Sequence, residues 1–93
     1  IQVNGVTLDP AANTISVGDR RIDVRGKEYS VLLTLMENKG RLLSREKMEA
    51  KLYAWGEELS SNAVEVHIHN LRKKLGKDFI KTVRGVGYGV GLD

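Results

Sequence analysis

Ninety-three residues suffice for one small domain with a thin core, and 41% hydrophobic with 29% charged residues is an ordinary balance for a soluble globular chain. Cysteine is absent, which excludes disulfide scaffolds, thiolate zinc sites and cysteine nucleophiles; no apolar run approaches the roughly 18 residues of a membrane span. The formal charge is +3, and the excess lies late: residues 1–59 carry nine Lys/Arg and nine Asp/Glu, residues 60–93 six and three. A basic third of this kind is usually a plain solvated surface, and is compatible with nucleic-acid binding. Ile1 to Asn4 show no basic stretch leading into an apolar one, so no signal peptide is expected. The chain does not begin with Met, and the expectation is a fragment of something longer with a domain upstream.

The first 25 residues read as short strands. Val6 and Leu8, Ile15 and Val17, then Ile22 and Val24 alternate with polar neighbours. Asp9-Pro10-Ala11-Ala12-Asn13 is turn chemistry, and Gly18-Asp19 predicts a two-residue hairpin. The period then changes. Tyr29, Leu32, Leu33 and Met36 fall on one stripe of a helix from Lys27 to Asn38, with Gly40 placed for a left-handed cap. Arg41 to Leu43 form a short connector. Ser44 is a predicted N-cap with Glu46 in the first turn of a second helix, which buries Met48 and Leu52 and ends near Tyr53. Residues 54–61 form a loop containing Trp55, Glu57 and Glu58.

A third helix runs from Ser61 or Asn62 to Leu75, with Asn62 and Glu65 at capping-box spacing and Gly76 beyond its end. Phe79 to Val83 and Tyr88 to Leu92 are β-like runs joined by Arg84-Gly85-Val86-Gly87. Strands, three helices and a hairpin, segregated along the chain, predict an α+β fold.

At about 100° per residue, Val64, Ile68, Leu71 and Leu75 form the buried stripe of the third helix. The opposite face carries Asn62, Val66, His69, Asn70 and Lys73, flanked by Glu65 and Arg72 on one side and His67 and Lys74 on the other. A structural helix normally shows solvent a mixture of Glu and Lys. Amides, an imidazole, an ammonium and a methyl-bearing side chain are instead the groups that read base edges. Asn is bidentate to adenine, Lys or His donates to guanine, and Val meets the thymine methyl. The helix, about 20 Å long, fits a major groove about 12 Å wide. A polar solvated face is the competing reading, and exposed Val66 is by itself unremarkable. In the hairpin, Arg84 at the tip is placed for a phosphate or a narrow minor groove, the alternative being a solvated arginine; Tyr88 reads as a core residue. His67 and His69 point roughly 200° apart on one helix and cannot share a metal ion. No phosphate loop, nucleophile elbow or acid pair is legible, so neither enzyme activity nor a cofactor is expected.

The stretches Asn62 to Leu75 (NAVEVHIHNLRKKL) and Thr82 to Tyr88 (TVRGVGY) resemble the effector domain of OmpR/PhoB-type response regulators. Lys27-Glu28-Tyr29 with Leu32-Leu33, the helix end Asn38-Lys39-Gly40 and Ser44-Arg45-Glu46 follow the same pattern, so the resemblance spans essentially the whole chain. Within that family it is most similar to the PmrA/QseB-like branch. The resemblance implies a winged helix-turn-helix: a four-stranded N-terminal antiparallel sheet, three helices and a C-terminal β-hairpin wing, residues 1–93 forming one effector domain. It also implies a cytoplasmic two-component regulator with a phosphorylated receiver domain upstream, acted on by a sensor kinase. Such proteins bind direct-repeat promoter half-sites of double-stranded DNA as dimers and regulate transcription.

Carried over by position, the family's DNA contacts fall on Asn62, His67, His69, Asn70, Arg72 and Lys73 of the helix and on Thr82, Arg84 and Gly85 of the wing; Val66 is the addition made by helical geometry. His67 and Arg72, on the flanks, suit phosphate contact better than base readout. The loop with Trp55, Glu57 and Glu58 is where the family meets RNA polymerase, and Trp55 either anchors that loop or touches the polymerase. Two departures stand out. Arg25-Gly26 replaces the Thr-Pro common before the first helix, which leaves that end without a preorganised start. His69 and Asn70 stand where basic residues are common, which lowers nonspecific attraction. Two other readings compete: a winged helix that contacts only protein, and RNA binding, which the lack of an aromatic stacking platform disfavours.

Overall fold

The computed structural model describes residues 1–54 and 63–92. Strands β1 (Gln2–Val3), β2 (Val6–Asp9), β3 (Thr14–Val17) and β4 (Arg20–Ile22) form an antiparallel meander in sequence order. The side-chain period of two sets its faces. Leu8, Ile15 and Ile22 stand opposite one another toward the helices, whereas Thr7, Ser16 and Arg21 form a row on the outer face. Asp9 closes the turn between β2 and β3 by accepting the Ala11 and Ala12 amides on Oδ1, at 3.1 and 3.4 Å. The Gly18-Asp19 hairpin forms as expected, with Val17 paired to Arg20. Val24, read as strand, is buried but lies beyond the end of β4; an inward-pointing apolar residue needs extended chain but not a paired neighbour.

Helix α1 (Gly26–Glu37) begins and ends one residue earlier than the periodicity predicts. It buries Val31 and Leu35 as well as Leu32 and Met36, while Tyr29 and Leu33 are only partly covered. The buried face is wider than the one stripe expected, because α1 meets both other helices. Arg25, its N-cap, makes no side-chain capping bond. Gly40 has the expected left-handed φ of 84°, yet it does not cap the helix. Asn38 does so, donating Nδ2 to the Thr34 carbonyl at 2.8 Å, while the Gly40 amide donates outward to the Val90 carbonyl at 2.8 Å. That bond ties the end of α1 to the chain's last segment.

Ser44 caps α2 (Arg45–Ala54) by accepting the Lys47 amide at 3.1 Å. Met48 and Leu52 are fully buried. Helix α3 (Ala63–Leu75) is described from Ala63; its expected start at Ser61 or Asn62 lies outside the described residues. Val64, Ile68 and Leu71 are buried in the common core, and Leu75 packs partly against it. Each such side chain stabilises by roughly 1.5–3 kcal/mol and fixes the rotation of α3 about its own axis.

Strands β5 (Lys81–Val83) and β6 (Gly87–Gly89) pair antiparallel around the three-residue tip Arg84-Gly85-Val86. Both are shorter than the predicted runs. Phe79, Ile80 and Val90 are buried but unpaired as strand, since they anchor the hairpin in the core rather than extend its ladder. The connector is more than a link: Leu43 and Tyr88 exchange backbone hydrogen bonds of 2.7 and 2.9 Å. The hairpin is thereby held edge-on against the segment that leads into α2.

Candidate nucleic-acid interface

Fixing the buried side of α3 leaves a defined outward side. Val66 is 45% exposed, and His69 and Lys73 are exposed beside it. These are the central members of the face expected from the helical wheel. Val66 is one of four large hydrophobic side chains on the described surface, with Ile1, Val83 and Val86; two of those others belong to the hairpin. Arg84 and Gly85 are exposed at its tip. Asn62, Trp55, Glu57 and Glu58 lie outside the described residues.

The remaining expected contacts are held within the protein. Asn70 is half buried and donates Nδ2 to Glu28 Oε2 at 3.3 Å. His67 is half buried, with Nδ1 enclosed and making no hydrogen bond among the described residues. Arg72 donates Nε and Nη2 to the Ile80 carbonyl at 3.3 and 2.8 Å, and Nη2 to Thr82 Oγ1 at 2.6 Å. Its guanidinium therefore stitches α3 to β5, and Thr82 is its acceptor; the two N–H groups of Nη1 are what remain for an outside partner.

Glu65 and Lys74 on the flanks are also engaged. Glu65 accepts from Arg45 Nη1 at 3.1 Å, and that bond and charge raise the Arg45 pKa. Both side chains are substantially exposed and the pair is screened by solvent, but it offsets an anionic charge beside the proposed reading face. Glu65's expected capping partner, Asn62, is not among the described residues. Lys74 Nζ donates to Glu28 Oε1 at 3.0 Å and to the Asp23 carbonyl at 3.2 Å. The Tyr88 hydroxyl is held above its ordinary pKa by burial first and by Glu65 second, against Arg45 and Arg72, so it remains a neutral phenol at pH 7.

The two glycines of the hairpin loop differ in what surrounds them. A Cβ on Gly87 would fall inside the Leu43 carbonyl group, so this glycine permits contact within the protein. At Gly85 the same atom would meet open space. A cleft lined by Ser44, Arg45, Glu65 and Gly85 to Tyr88 separates the start of α2 from the hairpin. A larger cavity of about 760 Å³ between the sheet and α1, lined by Arg21, Asp23, Arg25 and Tyr29, includes no α3 side chain. Among the described residues no group of three or more His, Asp or Glu could hold a metal ion, and no helix is long and apolar enough to cross a membrane.

A sheet, a helix pair with the second helix facing outward, and a hairpin braced beside it define a winged helix-turn-helix domain. Residues 19–90 match the family model described as transcriptional regulatory protein, C terminal. The chain belongs to this family, the OmpR/PhoB-type effector domains. It is 46% identical over 83 residues to the response regulator protein PmrA of Pseudomonas aeruginosa, covering 89% of this chain and 38% of that one. It is 50% identical over 86 residues to the transcriptional regulatory protein QseB of Escherichia coli O157:H7, covering 92% and 39%. The chain thus spans about two fifths of the length of these curated relatives. The crystal structure of the Klebsiella pneumoniae RstA DNA-binding domain in complex with RstA box superposes with a TM-score of 0.85 at 26% identity, over 100% of this chain and 97% of that one.

Glu28, Arg45 and Lys74 were not among the contacts expected from sequence. Glu28 and Lys74 carried opposite charge, but nothing local linked positions so far apart in the chain.

Proposed function

We propose that this chain is the DNA-reading output domain of a two-component response regulator, placing α3 in the major groove and the β5–β6 hairpin at the adjacent minor groove. The observation that carries this reading is the exposed row Val66, His69 and Lys73 on a helix whose other side is locked into the core. A neighbour of the same fold is described in complex with its DNA box. His69 and Lys73 donate to base edges or phosphates, Asn70 reads adenine, and Val66 meets a thymine methyl. His67 and the free Nη1 of Arg72 serve phosphates, and Asn62, outside the described residues, is proposed as a further DNA contact of the reading face. Arg84 enters the minor groove, with Gly85 and Thr82 shaping the wing. No step of this function is catalytic, and none requires a cofactor.

The remainder of the proposal concerns the whole protein: an upstream receiver domain, a sensor kinase acting on it, pairing of protomers on direct-repeat half-sites, a cytoplasmic location, and contact with RNA polymerase through the loop containing Trp55, Glu57 and Glu58. The greater length of the relatives leaves room for such a receiver domain.

Selection of bound duplexes from a random library tests the reading and is expected to yield an enriched half-site. Failure to enrich any sequence at low salt favours a winged helix that contacts only protein. With about four to six phosphates neutralised, log K should fall against log salt with a slope of about −4 to −5. Lys73, Lys77, Lys81 and Arg84 are exposed to supply most of that charge. Arg84→Ala is expected to weaken selected and unselected duplexes alike and to reduce the slope by about 1. Titrations at three salt concentrations check this, and an unchanged slope would remove Arg84 from the interface.

A further inference from the structure

Glu28 sits in the first turn of α1 with its side chain 21% exposed, on the inner flank of α3. One oxygen of its carboxylate takes Lys74 Nζ at 3.0 Å, and the other takes Asn70 Nδ2 at 3.3 Å. Asn70 and Lys74 are one helical turn apart, so a single carboxylate spans two successive rungs of α3. We infer that Glu28 is a positioning residue for base recognition: it sets which way round the Asn70 amide faces the groove, without touching DNA itself. The inference rests on the reading of Asn70 as a base contact.

The chemistry is one-sided. An ionised carboxylate only accepts hydrogen bonds, so it tolerates the NH2 end of Asn70 and rejects the Oδ1 end. That choice turns Oδ1 away from α1 and leaves one N–H of the amide uncommitted. An acceptor beside a donor is the pattern that matches adenine, whose major-groove edge offers N6–H and N7. Asparagine without such an anchor can present either end, and its discrimination between bases falls accordingly. Lys74 has the complementary task. It balances the charge of Glu28, which would otherwise stand as an uncompensated anion close to a polyanionic duplex. The Asp23 carbonyl holds Lys74 from the other side at 3.2 Å.

Base-preference profiles of this chain, from duplex selection followed by competition with each base at each position, test the inference in the wild type, Asn70→Ala, Glu28→Gln and the double variant. Asn70→Ala is expected to remove an adenine preference of about tenfold or more at one position. Glu28→Gln, whose amide can face Asn70 with either end, should lower that same preference about fivefold and leave the other positions within about twofold. In the Asn70→Ala background it should have no further effect there. The free domain gives a second readout: the Asn70 side-chain amide protons should be dispersed by NMR in the wild type and collapse toward random-coil positions in Glu28→Gln.

An unchanged profile in Glu28→Gln, with the Asn70→Ala position lost, overturns the positioning role and leaves the reading of Asn70 intact. A profile unchanged by Asn70→Ala overturns that reading and this inference with it. Weakening spread evenly over all positions would make Glu28 merely structural. Were Glu28→Gln to melt below the assay temperature, Glu28→Asp, which keeps the charge and shortens the reach, decides the same question by the loss or retention of that one preference.

Discussion

Gly87→Ala should unfold the hairpin's attachment and cost the domain about 3 kcal/mol. Two effects add. The new methyl would overlap the Leu43 carbonyl and crowd Ser44 Cα, both backbone atoms that cannot turn aside. The φ of 152° at Gly87 is also one that L residues rarely adopt. Relief requires breaking the exchange of hydrogen bonds between Leu43 and Tyr88, which is the joint between wing and helices. For a domain of this size the expected fall in Tm is on the order of 15 °C. Gly85→Ala, two residues away in the same hairpin, is the control. Its methyl meets open space, so only the backbone strain of φ 76° remains, about 1 kcal/mol. Thermal melts of both variants check the contrast, and equal losses would mean that the wing is not docked through Gly87.

Arg72→Ala carries the second large effect. It removes all three bonds to Ile80 and Thr82 and leaves the partly buried Ile80 carbonyl without its donor. The expected cost is about 2 kcal/mol, or on the order of 10 °C in Tm. The telling variant is Arg72→Lys. Lysine keeps the charge, but a point donor cannot replace a planar fork that serves two acceptors. If bracing the wing is the main task of Arg72, Arg72→Lys recovers less than half of the lost Tm, and its DNA affinity stays closer to Arg72→Ala than to wild type. Full recovery of affinity by lysine would instead make the free Nη1 contact with phosphate the dominant one.

These two residues also mark how far the sequence could be read. The stripe Val64, Ile68 and Leu71 was legible because a helix repeats its buried positions at a known angle, and it placed Val66, His69 and Lys73 outward without any tertiary information. The turn at Asp9 and the cap at Ser44 were legible for a similar reason, since each is satisfied by its own neighbours. Strand β1 came from the family resemblance alone, two residues being too short for a period. The uses of Gly40, Arg72, Asn70 and Gly87 were hidden. Each meets a partner distant in the chain or contributed by another element: Val90, Ile80, Glu28 and Leu43. No local pattern names such partners. Arg72 and Asn70 therefore read as free to face DNA, when part of each is committed inside the fold.

The most direct test of the account is a titration of the isotopically labelled domain with its selected duplex, followed by backbone amide NMR. The largest changes are expected at Val66, His69 and Lys73 and at Arg84 and Gly85, with Thr7 and Ser16 on the outer face of the sheet unmoved. Changes centred on that sheet face, with the α3 row undisturbed, would contradict it.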